Sequence, residues 1–295
     1  MIDSRVSVLI PSRNEQFLQK TIDGVFKKAK GDIEVVVYLD GYWTDPVLKH
    51  DPRLVVVHKS KVCGMRSGIN SAAAVAKGEY LLKLDGHCLL DEGFDMKLKA
   101  DCEDDWVVVP TRKRLDAENW CIQETKKPDI NYMYLSYPDD PKDWGGPGLH
   151  GRLWREKNIN PELKKVLIDE TMSFQGSCWF LKRDYFYYLE LMDEENYGPF
   201  WKEAQEIGLK AFLSGGRVMR NKNTWYAHLH KGKRYGRGYH LPKYITINAT
   251  SYVNEWLNKK VWHKQIHDFA WLIDKFSPVP TWKPNWKEDE IWKTL

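Results

Sequence analysis

At 295 residues the chain can form one large α/β domain or two small ones and bury a substantial core. Its 45 Lys and Arg against 41 Asp and Glu leave a formal charge of +4, too even a balance to mark a polyanion-binding protein by total charge alone. No run approaches the ~20 apolar residues of a membrane span. The five cysteines (Cys63, Cys88, Cys102, Cys121, Cys178) lack CxxC spacing, which argues against a disulfide framework and a zinc site, so a soluble, cytoplasmic protein with no membrane and no obligate protein partner is expected.

Residues 6–10 (VSVLI) read as a short buried strand stopped by Pro11, and residues 17–30 as an amphipathic helix. Residues 33–39 (IEVVVYL), 54–58 (LVVVH) and 80–84 (YLLKL) read as further strands, with a helix over 68–76 (GINSAAAVA). Strands alternating with helices predict right-handed βαβ units, and continuous apolar runs predict strands covered on both faces. After residue 105 the alternation loosens, and 137–151 (YPDDPKDWGGPGLHG) reads as a long loop. Residues 178–181 then read as a strand, 201–213 as a helix ended by Gly215 and Gly216, and 224–229 as another strand. The tail is helical from residue 245 and Pro- and Trp-rich over 277–292, expected to wrap the body.

In such sheets ligands bind beyond the carboxyl ends of the strands. That edge gathers Pro11, Arg13 and Glu15 after the first strand, Asp40 after the second, residues 59–66 after the third, and Asp85, Gly86 and His87 after the fourth. Asp85 and His87 flank a glycine and can converge on one ion. A carboxylate with imidazole suits Mn²⁺ or a similar divalent cation better than an all-oxygen site would, with Mg²⁺ as the other candidate. Taken alone, Asp-Gly-His is also what a plain turn after a strand looks like.

The segments SVLIPSRNE, YLDG and GMRSGINSAAAVAKGEYLLKLDGHC resemble, in this order, the family 2 type of glycosyltransferase. LDGHC resembles the Asp-x-His metal motif of the polypeptide N-acetylgalactosaminyltransferases, and TMSFQGSCWFLKRDYF with WKEAQEIGLKAFLSGG resembles the second half of that catalytic region. The resemblance covers residues 6–235, is weakest over 100–170, and includes no following lectin domain. It implies an α/β GT-A fold with a Rossmann-like, mostly parallel sheet flanked by helices. It also implies a domain over 1–240, divided into a nucleotide-sugar half (1–105) and an acceptor half (106–240), with residues 241–295 as an extension packed on it.

The same resemblance implies metal-dependent transfer from a UDP-sugar with retention. Asp85, His87 and His228 are the metal ligands it implies, with His230 as the rival for the third place. Asp40 would meet the uracil or ribose, Arg66 the base or diphosphate unless it forms a surface salt bridge, and Glu203 the sugar or the acceptor hydroxyl. Trp201 and Trp179 could stack on a ring or pack in the core. Residues 217–243 hold eight Lys or Arg and no Asp or Glu, and within that stretch Lys233 and Arg234 are expected to close over the diphosphate. Basic and aromatic residues interleaved in this way also suit an unstacked base, so a hydroxymethylated base in DNA is one expected acceptor. A polysaccharide, glycan or protein hydroxyl is the alternative, and an inactive nucleic-acid- or carbohydrate-binding module is the reading from another class.

Overall fold

A computed structural model describes residues 4–139 and 146–288 of the chain. Its strands are β1 (Val6–Ser12), β2 (Ile33–Asp40), β3 (Leu54–Lys59), β4 (Tyr80–Leu84), β5 (Cys88–Leu90), β6 (Trp106–Asp116), β7 (Cys121–Ile122), β8 (Met133–Leu135), β9 (Gly151–Leu153), β10 (Ile168–Glu170), β11 (Cys178–Lys182) and β12 (Arg217–His228). The main sheet runs β10-β12-β6-β11-β4-β1-β2-β3, with β5 on β12 and β7 on β6, while β8 and β9 form a separate pair. The pairs β4-β1, β1-β2, β2-β3 and β12-β6 are parallel, whereas β11 runs antiparallel to β4 and β6.

Period-two alternation sends successive residues of the central strands to opposite faces. Val8, Val35, Val37 and Leu82 pack with Leu18, Ile22 and Val25 of the helix Leu18–Lys28. Leu9, Val36 and Leu81 pack with Ile69 and Ala72 of the helix Met65–Val75 and with Ile207 of the helix Glu203–Leu213. That two-sided burial is why β1, β2 and β4 read as unbroken apolar runs. The edge strand β3 departs from it and leaves Val56 37% exposed.

Several boundaries differ from the sequence-based expectation. The loosening after residue 105 hides β6, an eleven-residue strand between β12 and β11. Pro110 in its middle lacks a donor and argues against a central strand, but it pairs with Asn221 next to a register shift in β12. There Asn221 pairs with Pro110 and Trp225 with Thr111, so three residues of β12 are looped out of the ladder. The strand expected over 224–229 is therefore only the second half of β12. The expected loop over 137–151 falls partly outside the described residues, as does the end of the tail after residue 288. Trp256, Phe269, Leu272 and Trp282 of the C-terminal segment share one core cluster with Leu9 and Val36 of the first strands.

Candidate metal centre and active site

Asp85 and His87 leave the carboxyl end of β4, and His228 ends β12, which lies against β5 so that His228 pairs with Cys88. One ligand atom from each of the three lies within 4.8 Å of the other two. His228 Nε2 is 3.1 Å from Asp85 Oδ2 and 3.1 Å from His87 Nε2. His228 is buried, whereas His230, two residues on, is exposed.

A ring of partners orients these groups. His87 Nδ1 lies 2.9 Å from Glu15 Oε2, which also accepts from Lys231 Nζ at 2.5 Å. Glu15 therefore takes the Nδ1–H of His87 and leaves its Nε2 lone pair facing the cluster. Burial raises the Glu15 carboxyl, but the contacts with His87 and Lys231 outweigh this and hold it below its usual range. At Gly86 an added Cβ would stand 2.9 Å from Glu15 Cγ, so glycine lets the turn approach this carboxylate. A guanidinium can only donate, so the 3.2 Å contact from Arg112 Nη2 makes His228 Nδ1 the acceptor. Burial pushes the His228 imidazole down to about 3.

Lys83 connects the triad to Glu203. It is 1% exposed, and its Nζ lies 2.7 Å from Asp85 Oδ1, 3.3 Å from Glu203 Oε2 and 2.6 Å from the carbonyl of Gly176. Burial opposes the ammonium charge, but the two carboxylates outweigh it and raise its pKa. Asp85 is held well below the usual carboxylate range: burial works against this, and Lys83, His228 and His87 overcome it. Glu203 moves the other way, pushed up by burial and by Asp85 despite Lys83. Its other oxygen accepts from Trp179 Nε1 at 2.6 Å, which commits that fully buried indole to Glu203.

The helix expected from residue 201 begins at Glu203. Trp201 (φ 89°) and Lys202 (φ 55°) precede it in left-handed backbone, an unfavourable state for large side chains that is characteristic of functional sites. Trp201, Glu203, Asp85 and Lys83 line a common cavity of about 370 Å³.

The remaining expected residues are distributed around this centre. Asp40 accepts from the backbone N–H groups of Cys63 (2.6 Å) and Gly64 and so ties the loop after β3. Arg66 is fully buried, paired with Glu206 and donating to the carbonyl of Trp201 at 2.8 Å. The salt bridge allowed for it at the surface thus lies in the interior. Arg13, beside Pro11, sits 4.3 Å from the ring centre of Tyr239, and Asn14 donates to the carbonyl of Gly238, so the basic segment folds back over the first loop. Both Asp85 and Asp40 act on the Tyr239 hydroxyl, whose pKa is raised first by burial. Within that segment Lys231 reaches the site, through Glu15, while Arg234 pairs with Glu118 at the surface and Lys233 is exposed. Sequence reasoning missed Lys83, Arg112 and Lys231. A lysine inside the otherwise apolar YLLKL was the available signal for Lys83, and Lys231 lies within the basic 217–243 stretch without standing out from it.

The described residues contain no helix long and apolar enough to cross a membrane. Residues 7–189 match the family described as Glycosyl transferase family 2. A Drosophila melanogaster protein described as "Putative polypeptide N-acetylgalactosaminyltransferase 13" is 24% identical over 243 residues, 74% of this chain and 40% of that protein. A crystal structure of GalNAc-T7 with UDP, GalNAc and Mn²⁺ superposes with a TM-score of 0.67 at 19% identity, covering 87% of this chain and 49% of that one. Staphylococcus aureus TarS 1-349 in complex with UDP-GlcNAc gives a TM-score of 0.50 at 13% identity, over 80% of this chain and 62% of that one. The chain thus spans about two fifths of the length of the fly relative and half of the GalNAc-T7 chain. With its family match over more than half its length and its curled, mostly parallel sheet, the chain belongs to glycosyl transferase family 2 and has the GT-A fold.

Proposed function

We propose that this chain transfers a sugar from a nucleotide-diphospho-sugar, most consistently a UDP-sugar, to an acceptor hydroxyl, using a divalent cation held by Asp85, His87 and His228. The observation that carries this reading is the convergence of one carboxylate oxygen and two imidazole nitrogens within 4.8 Å, beside a buried glutamate and an open cavity. The donor set fits Mn²⁺, with Mg²⁺ as the alternative. The UDP and Mn²⁺ of the GalNAc-T7 structure and the UDP-GlcNAc of TarS support the donor class. When bound, the cation supplies positive charge to the departing diphosphate.

The chain's own residues do the rest. Glu15 fixes the His87 ring, and Lys83 fixes one oxygen of Asp85 so that the other faces the two histidines. Glu203 stands at the cavity with one oxygen held by Trp179 and the other by Lys83, positioned to orient a sugar or acceptor hydroxyl. In this reading Asp40, Arg13 and Tyr239 serve the nucleotide, with Arg66 supporting the adjacent loop. Retention follows from the family resemblance. Residues 1–240 make up the catalytic domain in this reading, and the rest of the chain buttresses it.

The acceptor is then a hydroxymethylated base in DNA, supported by the Lys-, Arg- and Tyr-rich segment that folds over the first loop. Salt-sensitive DNA binding tests it against a glycan or protein hydroxyl. The reaction itself is tested by Mn²⁺-dependent hydrolysis across a panel of nucleotide sugars, with Asp85→Ala and His228→Ala alongside. Turnover of one donor that both substitutions abolish is expected. Absence of hydrolysis together with absence of metal-dependent donor binding would overturn the transferase reading in favour of an inactive binding module.

A further inference from the structure

Among the described residues, the buried Lys and Arg side chains each meet a carboxylate or carbonyl oxygen, except that of Arg112. Arg66 pairs with Glu206, Lys210 with Glu206 at 2.9 Å, and Lys83 with Asp85 and Glu203. Arg220 donates to the carbonyls of Asn131, Val109 and Pro110, and Lys202 to the carbonyl of Leu149 at 2.7 Å and to His150 at 2.6 Å. Arg112 is 9% exposed, yet no carboxylate among the described residues lies within 4 Å of its guanidinium, and its Nε is buried without a partner. The acceptor its side chain does have is His228 Nδ1, an uncharged nitrogen.

That single acceptor disappears when the centre fills. If His228 gives its Nε2 lone pair to a cation, the neutral ring carries its proton on Nδ1 and can no longer accept from Arg112. The guanidinium is then a buried charge with no counterpart, a costly arrangement unless a ligand supplies one. Arg112 lines the cavity that also holds Trp201 and Glu203. The Nε1 of Trp201 is likewise buried and without a partner. Both unanswered atoms are donors, so the complementary group presents acceptor oxygens, and a planar guanidinium favours a carboxylate or phosphate.

We propose that Arg112 is an anion-binding, specificity-determining residue of this cavity, and that the sugar or the acceptor entering on the Glu203 side of Asp85 carries a carboxylate or phosphate oxygen there. This deepens the transferase reading by naming a substrate class. The anion site can be probed apart from that reading, because Arg112 Nε and Trp201 Nε1 lack acceptors with or without the cation.

The test is calorimetric titration of the full chain with inorganic phosphate, glucuronate and glucose, both metal-free and loaded with Mn²⁺ and UDP, comparing the wild type with Arg112→Met and Arg112→Lys. Thermal unfolding establishes that each variant is folded, and if Arg112→Met is not, Arg112→Lys, which keeps the charge without the fork, carries the comparison. Phosphate or glucuronate should bind the wild type in preference to glucose, and Arg112→Met should weaken that binding by about tenfold to a hundredfold, more than it weakens UDP binding. Loss confined to glucuronate assigns the anion to a carboxylated sugar, and loss confined to phosphate assigns it to a phosphorylated acceptor. Equal binding in wild type and variant, no preference over glucose, or an equal loss of UDP affinity would overturn the proposal. If the wild type shows no Mn²⁺-dependent UDP binding, the transferase reading fails separately, and the metal-free titrations still test the anion site through Arg112 Nε and Trp201 Nε1, which have no partner without the cation.

Discussion

Lys83 Nζ lies 2.7 Å from Asp85 Oδ1 in a site that leaves the lysine 1% exposed. Because the same ammonium reaches Glu203 Oε2, one cation spans the carboxylate that faces the two histidines and the carboxylate at the cavity. Lys83→Met leaves two neighbouring carboxylates without that cation, and one of them must take up a proton. Donor hydrolysis should fall by roughly 100-fold or more. The thermal stability lost should be partly restored by Mn²⁺, which supplies charge at the same place. A variant with wild-type hydrolysis would rule out the role given to this lysine.

Gly176 faces Glu203 so closely that an added Cβ would lie 2.7 Å from Oε2. Gly176→Ala should therefore move Glu203 off Lys83 and depress turnover of the donor, while Mn²⁺ affinity, which in the proposed centre depends on Asp85 and the two histidines, is left near wild type. Equal losses in turnover and metal affinity would show that the alanine disturbs the whole centre.

Glu206 answers both Arg66 and Lys210 in a fully buried site. Removing it by Glu206→Ala leaves two buried cations uncompensated, which is expected to cost roughly 3–5 kcal/mol. Urea unfolding monitored by circular dichroism should register a loss of this size.

Acid should weaken the metal-free protein through His228. Its folded pKa of about 3 lies below the ordinary value near 6.5, so the unfolded state binds the proton more readily. The corresponding stability is fully present above about pH 6.5 and is lost as pH falls towards 3. His228→Gln should flatten the pH dependence of the unfolding midpoint across that window. An unchanged slope would mean that another group carries the acid sensitivity.

The triad was legible because Asp85 and His87 flank one turn after an apolar strand, and because His228 falls where the resemblance places a third ligand. Its supports were not. Lys83 is hidden inside β4, where an isolated cation carries no periodic signal, and Arg112 lies on β6, which Pro110 masks as a loop. Arg66 illustrates a further limit: spacing gives its position on the chain, but its partner Glu206 is 140 residues away and becomes visible only when the helix Glu203–Leu213 packs against it. The fold was more accessible than the site because two-sided burial writes each parallel strand as an apolar run, whereas electrostatic partners leave no pattern along the chain.

The looped-out residues of β12 set the parity of everything after them. With the pairing that holds at Asn221 and Pro110 continued unbroken, Trp225 would stand opposite Arg114, the place that His228 occupies. Three residues is an odd number, so the loop also exchanges which side chains meet each face of the sheet. The spacing between the two halves of this strand therefore acts as a length code for the proposed metal centre. At Lys222, Asn223 and Thr224 the number of residues matters to the triad in a way that their identities do not. Deleting one of them should disperse Asp85, His87 and His228 without altering any of the three.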